Sequence, residues 1–246
     1  MSSATEFYSS GYGDRLVDPS KYPGEIIDYL KAEEELLTAL VDQFDLLIEV
    51  GCMDGRYLEW TIRRNKRYLG VDIVERYVRN GQGRLLSLGL PLDRYRIEIC
   101  DAAAVHETPY RKGWLNKKDK VLIMFPFNSF GNIDEPKAVL RGLSRLKKPF
   151  LICSYTTSDF ANLVRLRYYS NCGYKQIRCV SDNVGVRFVS NDGLDTVAYN
   201  PAYLEQLCEE SGITVSIIPL SSIGACYTPK DLKIKRFPGN NLGLST

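Results

Sequence analysis

The stretch DLLIEVGCMDG, Asp45 to Gly55, decides how the rest of the chain is read. Leu46, Leu47, Ile48 and Val50 form a short apolar run without alternation, as in a strand buried on both faces of a parallel sheet. Gly51 and Gly55 then mark a turn, and Arg56 to Arg64 is compatible with a helix. A strand that breaks into a glycine turn and a helix N-terminus offers free backbone N–H groups and close approach to a ligand.

The residues of the loop narrow the ligand. A dinucleotide fingerprint needs glycine at positions 53 and 56, where this chain has Met53 and Arg56. A P-loop needs Gly-Lys-Ser/Thr at its end, and that triplet is absent. Downstream, RYLGVD (Arg67 to Asp72) reads as a second apolar strand ending in an acid, 17 residues beyond Gly55. Doubly wound folds use that position for ribose hydroxyls. A third run, Tyr95 to Cys100, ends in Asp101-Ala102-Ala103-Ala104.

Over Phe44 to Tyr155 these features resemble the class I (Rossmann-like, seven-stranded) S-adenosylmethionine-dependent methyltransferases, small-molecule type. Motif I of that family is written E/D-x-G-x-G-x-G; Glu49, Gly51 and Gly55 match it, and Met53 stands at its middle glycine. The resemblance implies S-adenosyl-L-methionine as cofactor and S-adenosyl-L-homocysteine as product. It puts Glu49, Gly51, Cys52, Met53 and Gly55 in the cofactor loop and Asp72 at the ribose, with Ile73 next to it also cofactor-binding. Asp101 and Ala102 fall at the adenine, with Phe125 at the end of the fourth strand. Cys52 also reads simply as a packing residue. The implied fold is α/β: a doubly wound, mostly parallel seven-stranded sheet closed by an antiparallel C-terminal hairpin. Thr214 to Leu220 and Ile223 to Tyr227 supply that hairpin.

Composition sets the class. At 246 residues the chain can bury a proper core, and 44% hydrophobic with 25% charged residues is ordinary for a soluble globular domain. A net charge of +2 argues against a dedicated nucleic-acid surface. No apolar run approaches the roughly 20 residues that cross a bilayer, and MSSATEFYSS lacks a signal-peptide core, so no membrane partner and a cytoplasmic location are expected. Seven cysteines are scattered without a CxxC pair, which makes zinc and disulfide frameworks poor readings.

Three segments are expected: an N-terminal lid and helix (1–43), the core (44–228) and a flexible tail (229–246). The first seventeen residues, with Tyr8, Tyr12 and Arg15, read either as a frayed start or as a lid whose Tyr12 and Arg15 meet the cofactor. Asp18 to Gln43 reads as a helix with Glu33, Glu34 and Glu35 on its solvated side. Glu75 to Leu88 is a helix weakened by Gly81 and Gly83. After the fifth strand, Phe150 to Tyr155, a helix carries a basic, aromatic patch of Arg165, Arg167, Tyr168 and Tyr169, read as snorkelling arginines on a solvated helix, with an anionic substrate site as the alternative. Turn pairs between β-rich runs then mark a small antiparallel cap at about 175–199.

Two residues are catalytic candidates. His106, the chain's one histidine, titrates near neutrality and suits a general base; its alternative is an exposed or adenine-flanking residue. Asn128, in the loop F-P-F-N-S-F-G after the fourth strand, suits substrate orientation or is a turn residue. That loop carries no acid for magnesium, so no metal is expected. The chain thus reads as a metal-independent methyltransferase of a small molecule, with O-methylation and natural-product tailoring mildly preferred. The rival readings are a catalytically silent methyltransferase-like partner protein and a methyltransferase of RNA or protein.

Overall fold

A computed structural model describes residues 4–234; positions 235–246, most of the expected tail, lie outside them. Strand β1 (Leu46–Val50) is the centre of the molecule, paired in parallel with β2 (Arg67–Asp72) on one side and β4 (Val121–Phe125) on the other. All five of its residues are buried, as an apolar run without alternation requires. Adding β3 (Tyr95–Ile99), β5 (Phe150–Tyr155), β9 (Val215–Pro219) and β10 (Gly224–Pro229) gives the order β3-β2-β1-β4-β5-β10-β9. The first five strands run parallel, and β10 is antiparallel to both β5 and β9. The expected seven-stranded sheet with its antiparallel close is therefore the fold.

Helices cover both faces. On one lie α2 (Gly24–Ala39), α3 (Leu58–Arg63), α4 (Glu75–Ser87) and α7 (Asp159–Asn171), packed on Leu47, Leu122, Met124 and Leu151. On the other lie α6 (Pro136–Leu146) and α8 (Pro201–Glu210), packed on Ile48, Val50, Ile123 and Ile152. The short α1 (Ala4–Ser9) and α5 (Thr108–Arg111) complete the set. The cap is a separate antiparallel sheet of β6 (Arg178–Ser181), β7 (Gly185–Val189) and β8 (Asp195–Tyr199).

Two helices depart from expectation. The long N-terminal helix begins at Gly24, because Pro23 precedes it and Pro19–Lys21 forms a separate 3-10 turn. Its acidic run is not one solvated face: Glu34 is exposed, but Glu33 is wholly buried against the ends of β1 and β4. In α7, Arg167 reaches solvent while Arg165 is 0% exposed, its guanidinium over the rings of Tyr155 and Phe188. Helical spacing put Glu33 on the solvated side and Arg165 on a solvated helix, and the neighbouring elements closed over both.

Gly81 and Gly83 have different reasons for their smallness. A Cβ at Gly81 would lie 2.6 Å from Ile97 Cδ1 and 3.2 Å from the Asp54 carbonyl, so glycine lets α4 approach β3 and the loop after β1. A Cβ at Gly83 meets nothing within 4 Å. Gly83→Ala should therefore stabilise the protein by about 0.5–1 kcal/mol through helix propensity, while Gly81→Ala should cost about 1–3 kcal/mol by overpacking. Urea unfolding midpoints of the two variants, moving in opposite directions, check this; equal shifts would refute it.

Candidate active site

The carboxyl ends of the parallel strands open into one cavity of ≈ 940 Å³, at the upper end of the roughly 300–1,000 Å³ typical of small-molecule sites. Strand order arranges its walls in sequence. Cys100, Asp101, Ala102 and Ala103 follow β3; Asp72, Ile73 and Val74 follow β2; residues 50–54 follow β1; Pro126 to Ser129 follow β4; Tyr155 ends β5. Tyr168 and Tyr169 of α7 and Thr196 of the cap close the far end.

The loop after β1 is tied down rather than left open. Gly51 N–H and Cys52 N–H both donate to Val71 O (2.9 and 3.2 Å), and Met53 N–H donates to Asp72 Oδ2 (2.8 Å). The free N–H groups expected of a glycine turn are thus already bonded along β2, which suits a ligand without phosphate. Gly51 has φ +73°, and a Cβ there would stand 3.0 Å from Ser129 Cβ, so the loop passes where only glycine fits. Met53, at φ +51°, keeps the left-handed backbone that glycine would favour.

Asp72 is 8% exposed and also accepts Val74 N–H on Oδ1 at 2.9 Å. Burial raises its pKa, against the bonds from the Val74, Met53 and Ile73 N–H groups. Three of the roughly four acceptor sites of an ionised carboxylate are thus taken by backbone, and the side chain stands in the cavity lining. Ile73, 47% exposed, adds apolar surface at that rim. Asp101 caps the turn Ala102–Ala104 by accepting Ala103 N–H at 2.8 Å.

Beneath the loops lie two carboxylates. Glu49 Oε2 accepts Tyr57 N–H (3.0 Å) and Tyr68 O–H (2.6 Å), while its Oε1 is buried without a hydrogen-bond partner. Glu33 accepts Phe127 N–H (2.7 Å) and Tyr57 O–H (3.0 Å). Neither lines the cavity; Glu33 fixes Phe127, which does, and Tyr57 links the two carboxyls.

The far end is aromatic. Phe127 stands within 5.9–6.1 Å, centroid to centroid, of Tyr22, Tyr29, Tyr155 and Tyr168. Arg56 lies over the Phe127 ring at 4.8 Å. The N-terminal segment forms the roof, with Tyr8, Leu16, Val17, Pro19 and Tyr22 in the lining.

The structure brings Gly51, Cys52, Met53, Asp72, Ile73, Asp101, Ala102 and Asn128 to the cavity. It keeps others away. Tyr12 and Arg15 face outward: Arg15 lies over the rings of Tyr12 and Tyr174, at 5.1 and 5.7 Å. Gly55 packs on Ile97 and Leu58 instead of on the cavity. Phe125 points to the opposite sheet face, edge-on to Phe130 at 5.5 Å, because side chains alternate along β4. His106 holds the Ala103 carbonyl at 2.9 Å and fills the space left by Gly142 of α6, so it stands behind the cavity lining rather than in it. Asn128 reaches the cavity, but its side chain is committed elsewhere: Nδ2 donates to Thr196 Oγ1 and Val197 O, and Oδ1 accepts from Ser154 Oγ. It positions the loop against the cap.

Sequence reading missed Glu33, Arg56, Phe127 and the gathering of Tyr22, Tyr29 and Tyr155 against Tyr168. A count of 16 tyrosines against 9 phenylalanines was the one available signal for a polar-rimmed aromatic site. Among the described residues no group of three His, Cys, Asp or Glu side chains stands together as a metal centre.

No protein-family model and no curated protein sequence matches the chain. Solved structures do. The 1,6-didemethyltoxoflavin-N1-methyltransferase of Burkholderia thailandensis matches with a TM-score of 0.58 at 14% identity, covering 92% of this chain and 85% of that one. A SAM-dependent methyltransferase from Aquifex aeolicus gives 0.57 at 15%, covering 90% and 97%. Magnesium protoporphyrin IX methyltransferase of Synechocystis PCC 6803 gives 0.56 at 11%, covering 91% and 95%. The chain therefore has the class I methyltransferase fold.

Burial lifts the Glu49 carboxyl from 4.5 to about 7, against the Tyr68 and Tyr57 hydrogen bonds that favour its charge. The folded state thus keeps a proton that the unfolded chain releases above its ordinary pKa. Stability should fall as pH rises through the window between those two values and level off above it, by a total on the order of 3 kcal/mol. Glu33 is raised in the same direction by burial and contributes to the slope. Glu49→Gln should flatten the profile in part and gain on the parent protein at pH 8 relative to pH 5. Urea midpoints across that range test this; parallel profiles would discard the assignment.

Proposed function

We propose that the protein transfers a methyl group from S-adenosyl-L-methionine to a small molecule. The observation that carries the reading is Asp72: a carboxylate at the tip of the second strand, anchored by backbone N–H groups on both oxygens and standing in the cavity lining. An acid at that position of a doubly wound sheet suits ribose hydroxyls. The fold it sits in supports the same reading.

In this reading Asp72 holds the ribose, Ile73 and Ala102 flank the adenine, and Asp101 takes the adenine amino group. Residues 51–54 run beside the methionyl part. The cofactor supplies, when bound, an electrophilic methyl group on a sulfonium. The chain contributes alignment and dryness: holding a nucleophile in line within a closed site supplies much of the rate enhancement. The roof from Tyr8 to Tyr22 excludes water, and the aromatic end receives the acceptor.

No histidine lines the cavity, since His106 lies behind it. An acceptor that is already nucleophilic, such as an ionised oxygen, is the chemistry this set of residues favours. We read the reaction as metal-independent O-methylation on that basis. The toxoflavin-type and protoporphyrin-type relatives in fold act on small molecules by their names, which accords with a cavity of this size.

Calorimetric titration with S-adenosyl-L-homocysteine, with NAD as control, tests the cofactor. Saturable binding of the first and none of the second is expected. Asp72→Ala should weaken that binding by roughly 1–3 kcal/mol, the cost of losing a hydrogen bond to a charged group. Unchanged affinity in the variant would remove Asp72 from the site.

A further inference from the structure

The charges around the aromatic end do not balance. Among the described residues lining the cavity, Arg56 is the one cationic side chain, and it lies on the β4 side, over Phe127. The lining acids are Asp54, in the loop after β1 and not ion-paired with Arg56; Asp72 and Asp101, at the tips of β2 and β3; and Asp134 and Glu135, at the start of α6, which packs beside the turn after β3. Behind the aromatic end, Arg165 is wholly buried over Tyr155, Tyr169 and Phe188, at 5.1, 5.9 and 4.5 Å. It donates to the carbonyls of Val186 and Thr196. Neither arginine is within ion-pair distance of a carboxylate among the described residues. Glu33 and Glu49 feel the charge of Arg56 but are already bonded, Glu33 to Phe127 N–H and Tyr57 O–H and Glu49 to Tyr57 N–H and Tyr68 O–H, and neither lines the cavity.

Two guanidinium groups therefore flank one aromatic chamber without an anion between them. A buried cation is stable when paired, and an arginine fork matches a carboxylate. An aromatic chamber can also hold an ammonium group through ring faces. Here guanidinium groups already occupy faces of Phe127, Tyr155 and Phe188, and a further cation would meet like charge. Flat rings on several sides favour a planar body.

We infer that the acceptor is a planar, conjugated carboxylate, seated among Phe127, Tyr155, Tyr168 and Tyr169 with its anion toward Arg56. The inference rests on the methyl-transfer reading for the word acceptor, but the charge preference stands on these residues alone. Arg56 is then the residue that sets substrate charge.

The test uses the protein saturated with S-adenosyl-L-homocysteine. Three planar acids, 4-hydroxycinnamate, 2-naphthoate and anthranilate, are titrated against their primary amides, with tyramine as a cationic probe. At least one acid should bind about tenfold or more tighter than its amide, as a hydrogen bond to a charged group supplies, with tyramine no tighter than the amides. Arg56→Met should bring that ratio close to one while leaving homocysteine-nucleoside affinity intact. No acid exceeding its amide, or tyramine binding best, would overturn the inference without needing any variant. It would also be overturned if Arg56→Met weakened S-adenosyl-L-homocysteine but not methylthioadenosine, which lacks the amino-acid carboxylate; Arg56 would then serve the cofactor. If S-adenosyl-L-homocysteine fails to bind the parent protein, the methyl-transfer reading falls, and the acid–amide comparison run without it still reads the charge preference.

Discussion

One carboxylate, Asp72, receives the backbone N–H groups of Met53 and Val74, and the mouth of the sheet takes its shape from that pair of bonds. The loop after β1 must fold across the tip of β2 for the cavity to exist. Three successive N–H groups, those of Gly51, Cys52 and Met53, are bonded to β2 in doing so. Left-handed backbone at a residue with a side chain costs roughly 1–2 kcal/mol. A hydrogen bond to a charged acceptor contributes roughly 1.5–3 kcal/mol, enough to hold Met53 in the conformation that the family's glycine adopts freely. A methionine at this place is thus compatible with the course of the loop, and the constraint has passed from the residue's permissiveness to its hydrogen bond.

Below the loops, Tyr57 links the two halves of the mouth. Its N–H donates to Glu49, at the end of β1, and its hydroxyl donates to Glu33, whose other oxygen holds Phe127 N–H after β4. Glu49 satisfies a free amide where α3 begins, which is how a carboxylate stabilises a helix N-terminus. Burying these acids is costly, and in return the position of Phe127 depends on that of the β1 loop through a single side chain. Asn128 extends the same chain of contacts to Ser154 on β5 and Thr196 in the cap. The floor of the aromatic chamber is in this way fixed from three elements at once.

The sheet was legible in the sequence because strands buried on both faces leave uninterrupted apolar runs, and β2 and β5 begin and end where those runs do. The acid at the tip of β2 was legible because fold class alone assigns that position. Distant partners were not. His106 stands five residues beyond Asp101, a spacing that suits a catalytic base, but Gly142, 36 positions later, opens the space that draws its ring behind the site. Asn128 was placed in the right loop, yet left-handed backbone at Phe127 and Asn128 (φ +46° and +60°) turns its amide toward the cap. Glu33 and Arg165 sat at helix positions that spacing and residue type assign to the solvated side, yet both are buried. Which such residues become buried depends on what the other elements bring, and spacing carries no record of that.

Roof and floor are held by different forces. The N-terminal segment crosses the whole mouth: Asp14 pairs with Arg76 and Tyr77 beyond β2, and the carbonyls of Tyr12, Arg15 and Leu16 accept from Tyr174, Cys172 and Tyr168 at the end of α7. The Arg76–Asp14 pair is 39% and 47% exposed, so water screens it and its worth is small. Each neutral hydrogen bond in the strap adds about 1 kcal/mol net. The floor, by contrast, rests on the sheet's ladder and on buried side chains from both cores. A segment tied by few and partly exposed bonds belongs to the least stable part of a fold, whereas the strand tips beneath it belong to the most stable. The residues proposed to discriminate ligands, Asp72 at one end and Arg56 with Phe127 at the other, all lie on the rigid side of that division, and the roof contributes chiefly apolar cover.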